Sequence, residues 1–155
     1  MLIGVVCIGK NNEIGINNKC CFRIAEDREF FRNLIKDQIV VVGRNTYEHI
    51  PKSVLKDCKH VHVLSKTYPL PIEYISSNDP VYVIGGSKTY ESLESLTCVY
   101  YVTHVNKECE NADSFFTVNL QRFNNTKLIK TGDNYQIIKY IDFNTLRDIE
   151  NLKNI

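Results

Sequence analysis

The stretch "VYVIGGSKTYESL" (residues 81–93) decides the fold. Four apolar residues suited to a buried strand run into Gly85 and Gly86, and Ser87 then opens a helix-like segment. The same order returns in "IVVVGRNTYEHI" (39–50), where Gly43 stands at the junction. Strand, glycine and helix in that order make an α/β unit. Glycine at such a turn lets the backbone approach a ligand and take dihedrals closed to other residues. The helix behind it offers free N–H groups and a partial positive charge. That combination suits phosphate, and two such units in one sheet suit the two ends of a dinucleotide. Plain tight turns would give the same pattern. Arg44 follows the first glycine, and Ser65 and Lys66 close another strand. A cationic cluster there would hold an extra 2′-phosphate and so favour NADPH over NADH. The chain has no GxGxxG fingerprint and no Walker lysine motif, which argues against a standard Rossmann or ATP site.

Outward from these units, strand-like and helix-like segments alternate. Strands are expected at 2–9, 38–43, 60–66, 81–86 and 99–105, and helices at 25–37, 45–50 (with a polar cap) and 87–93. Residues 126–143 read as two strands joined at a turn over Thr131–Asn134. The expected fold is α/β: one domain over residues 1–143, with a mostly parallel central sheet flanked by helices and a C-terminal antiparallel hairpin. Residues 144–155 form a tail in which Leu146, Ile149 and Leu152 are spaced by three, as in a short amphipathic helix packed on its own domain.

The 155 residues suit one domain, and a net charge of +1 gives no electrostatic case for nucleic acid or a membrane surface. The apolar N-terminus lacks a basic lead, so it reads as a first strand in a soluble, cytoplasmic protein. None of the six cysteines falls in a CxxC pair, and no Cys/His spacing matches a metal motif. His60 and His62 would share a strand face, but two ligands do not make a site. Cys7 and Cys98, in apolar surroundings, read as core residues.

The segment "GINNKCCFRIAEDREFF" (15–31) raises a second question, because it joins adjacent cysteines to adjacent acids. Asp27, Phe31 and Leu34 fall at i, i+4 and i+7 on one helix face, while Glu26 turns about 100° away. A carboxylate on the core side is costly unless paired. One reading is an acid that complements the helix dipole. The other is a carboxyl that accepts two donors from an amidine-like heterocycle and, with its pKa raised by burial, helps deliver a proton while a nicotinamide gives hydride.

Taken in order, "IG" at 14–15, the acid and aromatic of "EDREFF", "VVVGRNTYEHI", "LSK" at 64–66, "VYVIGGSKTYE", "YVTHV" at 101–105 and "ADSFF" at 112–116 resemble dihydrofolate reductase. The resemblance implies NADPH-dependent reduction of 7,8-dihydrofolate to tetrahydrofolate. Asp27 would bind the pterin, Thr103 would support the acid, and Phe22 would stand where the family has tryptophan. Val5, Val6, Phe31 and Ile50 would line the substrate pocket. Val6, Cys7, Ile14 and Gly15 would lie by the nicotinamide, the last two opening a mobile loop. Gly43, Arg44, Asn45 and Thr46 would form the first cofactor loop, and Leu64, Ser65 and Lys66 would sit near the adenosine phosphate. Ile84, the Gly85–Gly86 pair (joined in the family by a cis peptide), Ser87, Lys88, Thr89 and Tyr90 would form the pyrophosphate side. A monomer that binds antifolates is expected.

The chain departs from the family in three ways. Cys21-Phe22 replaces Pro-Trp, Ala25 replaces a proline, and no arginine stands clearly at the position for the folate glutamate tail. Lys59 or Lys56 would serve there, as a point charge in place of a fork. A pterin- or pyrimidine-reducing relative on the same fold, and a binding module without turnover, remain as alternatives.

Overall fold

A computed structural model describes residues 1–153, and residues 154–155 and the Leu152 side chain of the expected tail helix lie outside the described residues. In chain order the elements are β1 (Leu2–Ile8), β2 (Glu13–Ile16), β3 (Lys19–Cys20), α1 (Ala25–Ile35), β4 (Ile39–Gly43), α2 (Arg44–His49), β5 (His60–Leu64), α3 (Ile72–Ser76) and β6 (Val81–Val83). Then follow α4 (Ser87–Ser92), β7 (Thr97–Val105), β8 (Ser114–Phe115), β9 (Asn125–Thr131), β10 (Tyr135–Ile141) and α5 (Phe143–Lys153).

Seven strands form one sheet in the order β5-β4-β6-β1-β7-β10-β9. β5, β4, β6, β1 and β7 run parallel, and the hairpin β9–β10 adds antiparallel to β7. The all-apolar reading of β4 has a direct cause: Val40, Val41 and Val42 are each 0% exposed because helices cover both faces of the sheet. On one face Val6, Tyr90, Tyr100, Val102 and Phe116 form a core with residues of α3 and α4. On the other, Ile3, Ile35, Val40 and Val99 pack with Val5, Phe31 and Leu34 and with Tyr47 and Ile50. This second face carries the site.

The structure departs from expectation in three places. The polar cap expected for α2 is absent: the helix starts at Arg44 behind an extended Gly43, with no side-chain cap bond. A second sheet, β3-β2-β8, joins the segment after β1 to the segment after β7. Short α3 also went unforeseen. The tail helix α5 packs against α3 and β7 of its own domain, with Ile149 buried.

Candidate active site

β1 alternates its side chains, so Val5 and Cys7 point to the α1 face and Val6 to the opposite core. Val6 therefore borders the site with its main chain, and its side chain is 6% exposed among core residues. β7 lies beside β1 with Val5 opposite Tyr101 and Cys7 opposite Thr103. The first turn of α1 sets Asp27 over this pair. Thr103 Oγ1 donates to Asp27 Oδ1 at 2.5 Å, and Cys7 stands beside Thr103 on the same sheet face. Burial pushes the Asp27 carboxyl up, and the bond from Thr103 opposes it without cancelling it. Glu26 is exposed, as helix phase requires. Phe31, Ile50 and Val5 form an apolar wall beside the acid. Cys7 is thus only half-buried and stands beside the acid's partner Thr103, which corrects its reading as a core residue; Cys98 is core, at 0% exposure.

The loop between β1 and α1 forms a lid hung on the small sheet. Its base is Glu13, a buried acid that sequence reasoning passed over. Burial would raise the Glu13 carboxyl, but N–H donors at Cys109 and Asn11, both at 2.5 Å, hold it below the usual range. Asp113 extends the anchor: its N–H donates to Gly15 O at 3.0 Å and its Oδ2 accepts from Asn17 N–H at 3.0 Å. Phe22 lies over Gly9, where an added Cβ would come within 2.8 Å of the ring. At the lid's tip Asn18 Oδ1 accepts from Asn45 Nδ2 at 3.0 Å, so the lid reaches α2.

The two glycine turns converge on one place. β4 and β6 are neighbours, and Gly43 N–H donates to Gly85 O at 2.7 Å. The Gly85–Gly86 peptide is cis, and Gly85 has φ +122°, a conformation open to glycine. A Cβ on Gly43 would lie 2.4 Å from Thr89 Oγ1, and one on Gly86 2.8 Å from Thr46 Oγ1. Neither position has room for a side chain, so the turns present bare main chain. Thr89 and Tyr90 are buried beneath them, and Tyr90 Oη donates to Val5 O at 2.5 Å. Tyr90 thus ties α4 to β1. Ser87 and Lys88 lie in the first turn of α4, behind Ile84. Lys66 and Lys88 are exposed, and Arg44 pairs with Glu48 at 3.4 Å across one helical turn. Ser65 Oγ accepts from Tyr68 N–H at 3.1 Å and shapes the turn after Leu64.

Lys59 immediately precedes β5, where its N–H donates to Gln38 O. A cavity of about 160 Å³ at the C-terminal end of α1 is lined by Arg32, Lys36, Val54 and Lys56, and Lys59 is not part of its wall.

The site thus combines a carboxyl on α1 held by a threonine on β7 with two touching glycine turns. The family model for dihydrofolate reductase matches residues 1–147. The chain belongs to the dihydrofolate reductase family. It is 30% identical to the dihydrofolate reductase of Enterococcus faecium over 74% of this chain and 77% of that one. It is 27% identical to the type 9 dihydrofolate reductase of Escherichia coli, over 81% of this chain and 80% of the relative. Among solved structures, the dihydrofolate reductase from Enterococcus faecalis complexed with NADP(H) and RAB-propyl superposes with a TM-score of 0.71. That superposition covers 91% of this chain and 95% of the other at 21% identity, and it establishes a common fold.

Proposed function

We infer that Asp27 is the acid of an NADPH-dependent dihydrofolate reductase, binding the pterin of 7,8-dihydrofolate and assisting its protonation to 5,6,7,8-tetrahydrofolate. The observation that carries this reading is a carboxyl raised by burial, hydrogen-bonded to Thr103 and set beside the apolar wall of Phe31, Ile50 and Val5. Its two oxygens suit the paired donors of an amidine-like ring edge. Antifolates that carry such an edge are expected to bind there. Phe22 supplies apolar cover without the indole N–H that tryptophan would offer. The test is NADPH oxidation followed by absorbance, with dihydrofolate and then with a reducible pyrimidine. Oxidation with the pyrimidine alone, or tight antifolate binding with no oxidation at all, would overturn the reading.

NADPH, when bound, supplies a hydride from its nicotinamide ring. The residues present fit it: the two glycine turns meet in front of the starts of α2 and α4, with the hydroxyls of Thr46 and Thr89 packed against them. Gly43, Arg44, Asn45, Thr46, Gly85, Gly86, Ser87 and Lys88 would hold its phosphates, and Leu64, Ser65 and Lys66 its adenosine end. Ile14 and Gly15 in the lid would exclude water from the nicotinamide. Gly43→Ala would force the added methyl against the buried Thr89. Overpacking of this kind costs about 1–3 kcal/mol of stability, and the displacement of the turn should raise the NADPH Kd roughly tenfold, read by titration calorimetry. An unchanged Kd would show that the turn does not touch the cofactor.

The folate tail is assigned to the cavity beyond Phe31. Its cations, Arg32, Lys36 and Lys56, are better placed than Lys59, which does not line it. Lys56→Ala should raise the KM for dihydrofolate severalfold and leave kcat near parental, whereas Lys59→Ala should change KM less. The reverse order would return the tail to Lys59. A monomeric working unit and a cytoplasmic setting are part of this proposal. No described helix is long and apolar enough to cross a membrane.

A further inference from the structure

We propose that Glu13 is a positioning residue for Phe22: with Gly9 it forms the seat on which the lid's aromatic closes over the site. The inference rests on the covering role given to Phe22 above. It starts from three groups that meet at one point. A Cβ built on Gly9 would lie 2.8 Å from Phe22 Cζ, 2.9 Å from Glu13 Oε1 and 2.9 Å from Lys107 O. The tip of the phenyl ring, a carboxylate oxygen and a carbonyl of the β7–β8 loop thus converge on the bare main chain that follows β1.

Phe22 has no hydrogen-bonding group, so only packing and the ring's own charge distribution can aim it. The edge of a phenyl ring carries partial positive charge. Glu13 Oε1 is the anionic oxygen that approaches the same point as that edge. Phe22 lies between β3 and α1, and Asp27 stands in the first turn of α1, so the seat of the ring sets how the lid meets the acid.

Glu13 is built to hold its place. It is 2% exposed, and among the described residues no ion pair reaches it. Main-chain donors fix both oxygens: Oε1 accepts from Asn11 N–H and Oε2 from Cys109 N–H, each at 2.5 Å. The turn and the segment after β7 are already joined without this side chain, since Lys10 N–H donates to Lys107 O at 3.0 Å and Phe116 N–H to Asn12 O at 2.8 Å. Burying a carboxylate is costly. Its use at a joint that the main chain already closes points to the ring beside it.

Three variants test this. Glu13→Gln leaves one acceptor oxygen where two are used, Gly9→Ala puts a methyl at the meeting point, and Phe22→Leu removes the ring. In ligand-free protein carrying carbon-13 at the phenylalanine ζ position, the Phe22 resonance is assigned by its loss in Phe22→Leu. Glu13→Gln and Gly9→Ala should each shift it. Gly9→Ala leaves the Glu13 side chain in place, so the readout survives a Glu13→Gln that does not fold. NADPH release, followed by stopped-flow fluorescence, should be about fivefold faster in Glu13→Gln, because an unseated ring favours the open lid. In a Phe22→Leu background the same change should alter release by less than about twofold. A role in loop stability alone lowers Tm and speeds release equally in both backgrounds. That result, or a Phe22 resonance unmoved in the folded variants, would overturn the proposal. The carbon-13 arm needs no cofactor. A chain that binds no NADPH yet shows the shift would therefore sink the cofactor assignment and keep the seat.

Discussion

Asp27→Asn is expected to lower turnover with dihydrofolate by roughly 10²- to 10⁴-fold at neutral pH, the usual contribution of a positioned acid. The amide keeps size and one acceptor, so Thr103 can still hold it, but it carries neither charge nor a transferable proton. The NADPH Kd should stay near parental, because the glycine turns proposed to bind it lie at the ends of β4 and β6. The pH dependence has a definite sign. Burial raises the Asp27 carboxyl, so the protonated form persists to higher pH than in a free aspartate, and the parental rate should fall as pH rises through that raised value. The variant should lose this limb. Stability should move the opposite way. A carboxyl whose folded pKa is raised makes the native state bind more protons than the unfolded one, so it costs stability once pH exceeds the folded value. Asp27→Asn should therefore melt higher than the parent at pH 8 and lose that advantage at low pH. Full turnover in the variant would remove Asp27 from the mechanism, and a lower Tm at pH 8 would contradict its burial against charge.

Part of this arrangement was legible in the chain because it rests on local spacing. Val40, Val41 and Val42 read as a buried strand since nothing polar interrupts them, and helix phase alone separates Asp27 from Glu26. The glycine turns were legible as two sites for phosphate, yet not as one. Their contact, Gly43 N–H to Gly85 O, depends on β6 inserting next to β4, a choice of strand order that no local pattern encodes. The partnership of Cys7 with Thr103 was hidden for the same reason, since an apolar neighbourhood on β1 looks like core until β7 brings a carboxylate's partner beside it. The small sheet that anchors the lid was illegible for a different cause. β3 and β8 have two residues each and pair through the main chain, so they leave no side-chain period. Glu13 carries no signal in the sequence because its partners are backbone N–H groups, one of them on the distant loop that carries Cys109.

Arg122→Ala should produce the largest loss of stability, about 3 kcal/mol, and lower Tm by roughly 6–12 °C in a domain of this size. Arg122 closes the hairpin and α5 onto the rest of the sheet. Its Nη1 donates to Asp142 Oδ2 at 2.6 Å and to Thr145 Oγ1 at 3.3 Å, and its Nη2 donates to Glu94 O at 2.7 Å. Asp142 is 7% exposed and has a second task, since its Oδ1 accepts the N–H groups of Asn144 and Thr145 at the start of α5. Removing the guanidinium leaves a buried carboxylate whose remaining donors come from Thr145 and Asn144, together with a carbonyl at Glu94 stripped of its partner. Burial would raise Asp142, but bonds from Thr145 and Asn144 and the Arg122 charge hold it below the usual range. The stability that this gives is present above the unfolded carboxylate value of about 3.9 and is lost as pH falls through the lower folded value. The gap in Tm between parent and Arg122→Ala should therefore narrow on acidification through that window. Joint replacement by apolar residues, Arg122→Met with Asp142→Leu, should cost less than the sum of the single changes, because no charge is left unpaired. Asp142 N–H bonds Cys98 O near the start of β7, whereas Thr103 holds Asp27 near its end. At temperatures where the variant is folded, kcat should therefore stay within about twofold of parent. A Tm drop of under about 2 °C would show that the pair is bought back by solvent, and a large fall in kcat with intact folding would show that this end of β7 reaches the acid after all.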